Sequence, residues 1–197
     1  MHRKLRWRFI APLIGVVLSA MLVLPGTTLA ATPAPPWQVG VGAQSPDKAR
    51  QANFFFNRNI TIDVGDTVLW TDHADEIHTV TFLAPGQTRA DVPLFTPAGN
   101  GIAPNPVALG PAGGPSFDGS AYTNSGLLAA VGQQYSLTFS KAGDFAYICL
   151  VHSTMSGVIH VQPQGTPYPK TQAQYDTQSR IQTAEDLGQA AICKPLV

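Results

Sequence analysis

Cys149, His152 and Met155 stand three residues apart in the stretch "YICLVHSTM". A thiolate, an imidazole and a thioether are soft and borderline donors. Copper, Cu(I) above all, prefers that set to the carboxylate oxygens that magnesium or calcium would want. The stretch follows a strand-like run and precedes Gly157, so the three side chains converge only if the loop carrying them wraps around a common centre. Such a centre needs one more nitrogen from elsewhere in the chain. The candidates are His73, His78 and His160, His2 lying at the N-terminus. His78 opens a strand-like run after the polar turn "DHADEI", where a rigid scaffold can aim a ring inward. His160 alternates with Ile159 and Val161 and is expected to face away from the core that they enter. His73 sits among Asp72, Asp75 and Glu76, as a solvated histidine would. A different chemistry competes for Cys149: the chain's other cysteine is Cys193, and in an oxidising compartment a Cys149–Cys193 disulfide without metal is the ordinary expectation.

The compartment can be read from the first thirty residues. Arg3, Lys4, Arg6 and Arg8 precede an apolar run over 9–24, and Thr28-Leu29-Ala30 ends on small residues, so 1–30 has the form of a cleaved export signal. An uncleaved anchor, and with it membrane contact, is the alternative, which Pro12 and Pro25 disfavour. No adjacent arginine pair is present, which favours a Sec-type route. Beyond residue 30, eight Lys and Arg stand against twelve Asp and Glu, a formal net charge of about −4. That balance excludes nucleic acid as a partner. No H-E-x-x-H and no nucleophile elbow is present, so the chain is not read as an enzyme.

The elements that must position these side chains are strands. A chain of 197 residues makes about one domain, and 12% charged residues with 18 Gly and 17 Pro favour turns and strands over long helices. "WQVGV" (37–41) alternates, and "ITIDVGDTVLW" (60–70) sets Ile60, Ile62 and Val64 on one side before a Gly65-Asp66 turn and a second run. Further strands are predicted at "HTVTF" (78–82), "YSLTF" (135–139), "DFAYIC" (144–149) and "GVIHV" (157–161). Short strands at this spacing predict an all-β, Greek-key β-sandwich or barrel. Residues 31–36, "ATPAPP", are a Pro-rich spacer. Residues 84–119 hold seven Pro and seven Gly and, as charges, only Arg89, Asp91 and Asp118, which predicts a long loop insertion with little regular structure. In the extension 163–197, residues 170–191 predict a helix behind Pro169, with Ile181, Ala184, Leu187 and Ala191 on its apolar face.

Taken together, "ITIDVGDTVLWTDHADEIHTVTF" (60–82) and "KAGDFAYICLVHSTMSGVIHV" (141–161) resemble the plastocyanin and pseudoazurin branch of the cupredoxins, the blue copper proteins. The shared features are V-G-D-T-V-x-W, a first histidine in H-T-V, an aromatic run into C-x-x-H-x-x-M, and G-x-[IV]-x-V. The resemblance implies a plastocyanin-like domain over 37–162 with one type 1 copper site. It implies His78, Cys149 and His152 as equatorial ligands, Met155 as the long axial one, and Trp70 and Tyr147 as core aromatics. The implied activity is the shuttling of single electrons between redox protein partners, with copper delivery through the same ligands as the alternative. Thr79 departs from the pattern, since many members carry there an asparagine that hydrogen-bonds near the thiolate. The insertion, the extension and Cys193 are departures too.

Overall fold

A computed structural model describes residues 34–188. Period-two burial runs through the strands as the sequence requires. Val68, Trp70 and Asp72 turn inward along one strand, Ile159 and Val161 along another, and Ile60 and Ile62 along a third. In chain order the elements are β1 (Trp37–Gln44), β2 (Gln51–Phe56), β3 (Asn59–Asp63), β4 (Thr67–Asp72) and β5 (Thr81–Phe82). Within the insertion follow a 3₁₀ turn (Arg89–Asp91), the hairpin β6 (Phe95–Ala98) and β7 (Gly101–Pro104), the single-turn helix α1 (Pro106–Leu109), β8 (Pro111–Ala112) and β9 (Ser116–Phe117). The chain then makes β10 (Thr123–Ser125), β11 (Gln134–Phe139), β12 (Gly143–Ile148), β13 (Ser156–Gln162) and α2 (Gln172–Asp186). Among the described residues no helix is long and apolar enough to cross a membrane.

Two sheets form the all-β sandwich, one in the order β2-β1-β4-β11-β9 and the other β3-β13-β12-β5-β10-β8. The chain changes sheet at Asn57, which takes the left-handed conformation between β2 and β3, and again at Gly65 between β3 and β4. Between the sheets lie Trp70, Tyr147, Phe55, Phe82 and Phe139, all fully buried. Tyr147 is their hub, its ring centroid 4.6 Å from Phe55, 5.4 Å from Phe82 and 5.6 Å from Trp70. Its hydroxyl donates to the Arg58 carbonyl at 3.2 Å, which keeps the buried oxygen partnered.

The strand expected over 78–82 shortens to Thr81–Phe82. His78 instead makes an isolated bridge to Leu128, and Val80 exchanges backbone and side-chain bonds with Ser125 at the end of β10, so this backbone is satisfied without a continuous strand ladder. The 84–119 stretch carries more regular structure than its composition predicts. Residues 95–104 fold into their own hairpin, and the last strands of the stretch join both sheets, β8 beside β10 and β9 beside β11.

The extension is helical at Gln172–Asp186, started by a capping box between Thr171 and Gln174. Its inward face differs from the predicted one. Tyr175 and Leu187 are buried, Ala184 is half-buried, Ile181 is 51% exposed, and Ala191 lies outside the described residues. The apolar stripe was too weak to set the rotation. Docking sets it instead: the Tyr175 ring packs on Trp37 at 6.0 Å, and its hydroxyl accepts from the Thr61 amide at 3.0 Å.

Candidate metal centre

The strand-end position of Cys149 and the turn that follows it create the loop. The Cys149 amide donates to the Met155 carbonyl at 3.0 Å and the Met155 amide to the His152 carbonyl at 3.2 Å. This folds residues 149–155 back on themselves, with Cys149 and Met155 fully buried and His152 half-buried. From the other side, His78 is held at both backbone groups by Leu128, each bond 2.8 Å. The ligand atoms of His78, Cys149 and His152 all lie within 4.8 Å of one another. Cys149 Sγ and His152 Nδ1 are 3.6 Å apart, and the two imidazole rings 4.8 Å.

Space for the His78 ring depends on Gly42. A bulge in β1 between Val41 and Ala43 puts Gly42 at φ +61°, and a Cβ built there would stand 2.5 Å from His78 Nε2. No spacing rule in the sequence marks this glycine, because its partner lies on a different strand.

Both ring nitrogens of His78 are buried without a hydrogen-bond partner among the described residues. Orphaned buried polar atoms of this kind are rare unless something else satisfies them. Burial, with the neighbouring His152 ring adding to it, pushes the His78 pKa down to about 4. The imidazole is therefore neutral at physiological pH and keeps a free lone pair. Burial also lowers the pKa of His152, against a smaller opposing effect of Glu76. The donor chemistry and the orphaned nitrogens fit a soft or borderline ion.

The surroundings of the sulfur answer what Thr79 does. Its amide donates to Cys149 Sγ at 3.4 Å, and its hydroxyl accepts from the Leu150 amide at 2.8 Å, tying the segments of His78 and of Cys149 together. Thr79 Oγ1 lies 3.0 Å from Thr81 Oγ1, which donates to Asn124 Oδ1 at 2.8 Å. The Asn124 amide in turn donates to the carbonyls of Ala108 and Gly110 at 2.9 and 3.0 Å. A directed chain of hydrogen bonds thus runs from the loop beside the thiolate into the insertion. Arg89 makes a second link, donating from Nη1 to the carbonyls of Cys149 at 2.6 Å and Leu150 at 3.1 Å.

The other candidate histidines stay apart. His160 faces outward and pairs with Asp144 at 2.8 Å, and His73 is exposed. Among the described residues Cys149 has no disulfide partner; Cys193 lies outside them, as does the whole 1–30 segment. Asn124, Gly42 and Arg89 were missed by sequence reasoning. Only Arg89 left a trace there, as the one cation of the insertion.

A thiol and two imidazoles gathered at the end of a two-sheet sandwich are the donor set expected of a copper-binding β-sandwich protein. Residues 45–162 match the model of the copper binding proteins of the plastocyanin/azurin family, and the chain belongs to that family. No curated protein matches it. Among solved structures the chain is similar to amicyanins. One is a Cu(I) variant, 21% identical, with 67% of this chain and 87% of the other covered and a TM-score of 0.41. Another is a reduced-state variant, 23% identical, with 64% and 82% covered and a TM-score of 0.40. A third, also Cu(I), is 27% identical over 53% and 70%, with a TM-score of 0.35.

Proposed function

We propose that this protein is an exported, mononuclear type 1 copper protein that shuttles single electrons between redox protein partners and is not itself an enzyme. In this reading His78, Cys149, His152 and Met155 would hold the copper, in a domain over 37–162. The signal 1–30 is removed, and 163–197 is an extension of the domain. The observation that carries the reading is His78: a buried, neutral imidazole with neither nitrogen hydrogen-bonded, facing Cys149 and His152 within 4.8 Å.

Copper bound there would supply one-electron chemistry between Cu(I) and Cu(II). The chain's own residues do the rest. Cys149 and His78 are withdrawn from water, so no solvent competes for their donor atoms. The Thr79 amide and the Thr79–Leu150 bond hold the sulfur in one orientation, which keeps rearrangement on electron transfer small. His152 is the half-buried member of the set, so its ring is where a redox partner would come nearest to the centre. A donor set anchored through Thr79 and Leu128 suits repeated electron exchange better than release of the ion to an acceptor.

The test is an absorption and EPR spectrum of the Cu(II)-loaded protein beginning after residue 30. Intense blue colour from thiolate-to-copper charge transfer is expected, lost in Cys149→Ser. A colourless protein, or a Cys149→Ser variant that stays blue, overturns the assignment. Export is tested separately, by the mass of the N-terminus of protein recovered outside the cytoplasm.

A further inference from the structure

We propose that Arg89, supplied by the insertion, is a positioning residue of the copper centre that both fixes the ligand loop and biases the centre toward Cu(I). The inference rests on the copper reading above. The 3₁₀ turn at Arg89–Asp91 is closed on itself by Asp91, whose carboxylate accepts from the Thr88 amide and hydroxyl, each at 2.7 Å. That carboxylate is therefore spent on the turn. Among the described residues no acidic group forms an ion pair with Arg89. Its half-buried guanidinium is directed at backbone carbonyls alone: Nη1 donates to Cys149 and Leu150, and Nη2 reaches the Ser153 carbonyl at 3.5 Å.

Two consequences follow from this placement. The planar fork joins carbonyls on both sides of His152, so it restrains the turn that sets the distance between Cys149 and His152. In addition, a full positive charge bonded to the Cys149 carbonyl sits beside the thiolate with no counter-ion among the described residues. The oxidised centre carries one positive charge more than the reduced one. A neighbouring cation therefore destabilises the oxidised form, and the low effective dielectric of a half-buried site lets the effect persist. The reaction it biases is balanced as Cu(II) plus one electron, delivered by the redox partner, giving Cu(I), with no proton and no ligand bond transferred to Arg89.

The experiment compares copper-loaded wild type with Arg89→Gln and Arg89→Lys. Spectroscopic redox titration reads the bias, and amide hydrogen exchange at Cys149 and Met155 in the copper-free chain reads the hold on the loop. In Arg89→Gln the Cu(I):Cu(II) ratio at fixed ambient potential is expected to fall by about tenfold, about 59 mV for a one-electron couple. In Arg89→Lys the charge remains and the fork is lost, so the ratio stays within about threefold of wild type. Both variants should exchange the two amides faster. An unchanged ratio in Arg89→Gln, an equal fall in both variants, or unchanged exchange in both overturns the proposal. Should Arg89→Gln fail to fold, Arg89→Met, which keeps the apolar stem, takes its place with the same expected values. A wild type that is not blue would defeat the copper reading itself, whereas a blue protein with an unmoved potential defeats only the role of Arg89.

Discussion

Two stretches elaborate the sandwich, and they reach into it by opposite means. The 84–119 insertion approaches the ligand loop with polar groups, through the Arg89 guanidinium and through the carbonyls of Ala108 and Gly110 that Asn124 reads. The extension approaches the core with one aromatic ring, Tyr175, which packs on Trp37 and caps the Thr61 amide. From the insertion, the Arg89 bonds end on the backbone of Cys149 and Leu150 and the Ala108 and Gly110 carbonyls accept from Asn124, whereas the bonds of α2 end on β1, on β3 and on Asn57 at the β2–β3 turn. Where an added segment finds its hydrogen-bond partners thus decides whether it acts on the chemistry of the site or on the stability of the scaffold. A change in the extension should move stability and leave the copper spectrum alone, and a change in the insertion's contacts should move both.

The largest effect is expected at Tyr175→Ala. Removing a buried ring from the core costs about 3–5 kcal/mol, and the Thr61 amide loses its acceptor besides. Urea unfolding should show that loss while the charge-transfer band of folded, copper-loaded protein stays in place. A shifted band would break the separation between scaffold and site.

Asp72, which belongs to neither addition, gives the scaffold its pH dependence. Its carboxylate is fully buried at the end of β4, with Oδ1 accepting from the Ala74 amide at 3.1 Å and Oδ2 unpartnered. Burial raises its pKa from 3.8 to about 6. The folded pKa lies above the unfolded one, so the folded state binds the proton more tightly. The stability this contributes is complete below about pH 4 and is lost as pH rises through about 6. Two pKa units correspond to about 3 kcal/mol. Asp72→Asn, which can still accept from Ala74, should therefore be more stable than wild type at neutral pH by up to that amount and should lack the slope in urea midpoint between about pH 4 and pH 7. A slope that survives the substitution would assign the titration to another group.

Asn124→Ala tests the opposite arm of the comparison. It strips partners from the Thr81 hydroxyl and from two insertion carbonyls, at a cost of about 1–3 kcal/mol. Because the same chain of bonds ends at the Thr79–Leu150 tie, the charge-transfer band should shift as well. A variant that loses stability with an unmoved band would reduce the insertion to a second scaffold brace.

The sandwich was legible wherever strands alternate over a single sheet face, as in Ile60–Ile62 and Ile159–Val161. β2 escaped because Phe55 and Phe56 are buried side by side next to the β1 bulge, so the stretch "QANFFF" does not alternate. The residues the structure gathers at the site were legible by type, because only certain side chains bind soft metals, and two of them sit on one short loop. Thr79's hydroxyl bond, Gly42's clearance of His78 and the Asn124 chain were not. Each joins residues far apart in the chain, 71 positions for Thr79 and Leu150 and 43 for Thr81 and Asn124, and no local period records such an approach.

The smallest expected effect falls on Ile181, and it decides the orientation of α2. The sequence pattern turns this side chain inward with Leu187, whereas in the structure it is half exposed and Tyr175 takes the inward place. A buried isoleucine exchanged for a polar residue would cost several kcal/mol, since it loses apolar burial and gains an unpartnered amide. An exposed one changes stability by no more than about 0.5 kcal/mol in either direction. Ile181→Gln should accordingly leave the urea midpoint almost where it was, with the helical circular dichroism intact, because glutamine is a somewhat better helix former than isoleucine. A loss above about 2 kcal/mol would mean that the helix is rotated to the face its sequence suggests. Tyr175 could then no longer reach the Thr61 amide, and the extension would lose the anchor that ties it to the scaffold rather than to the site.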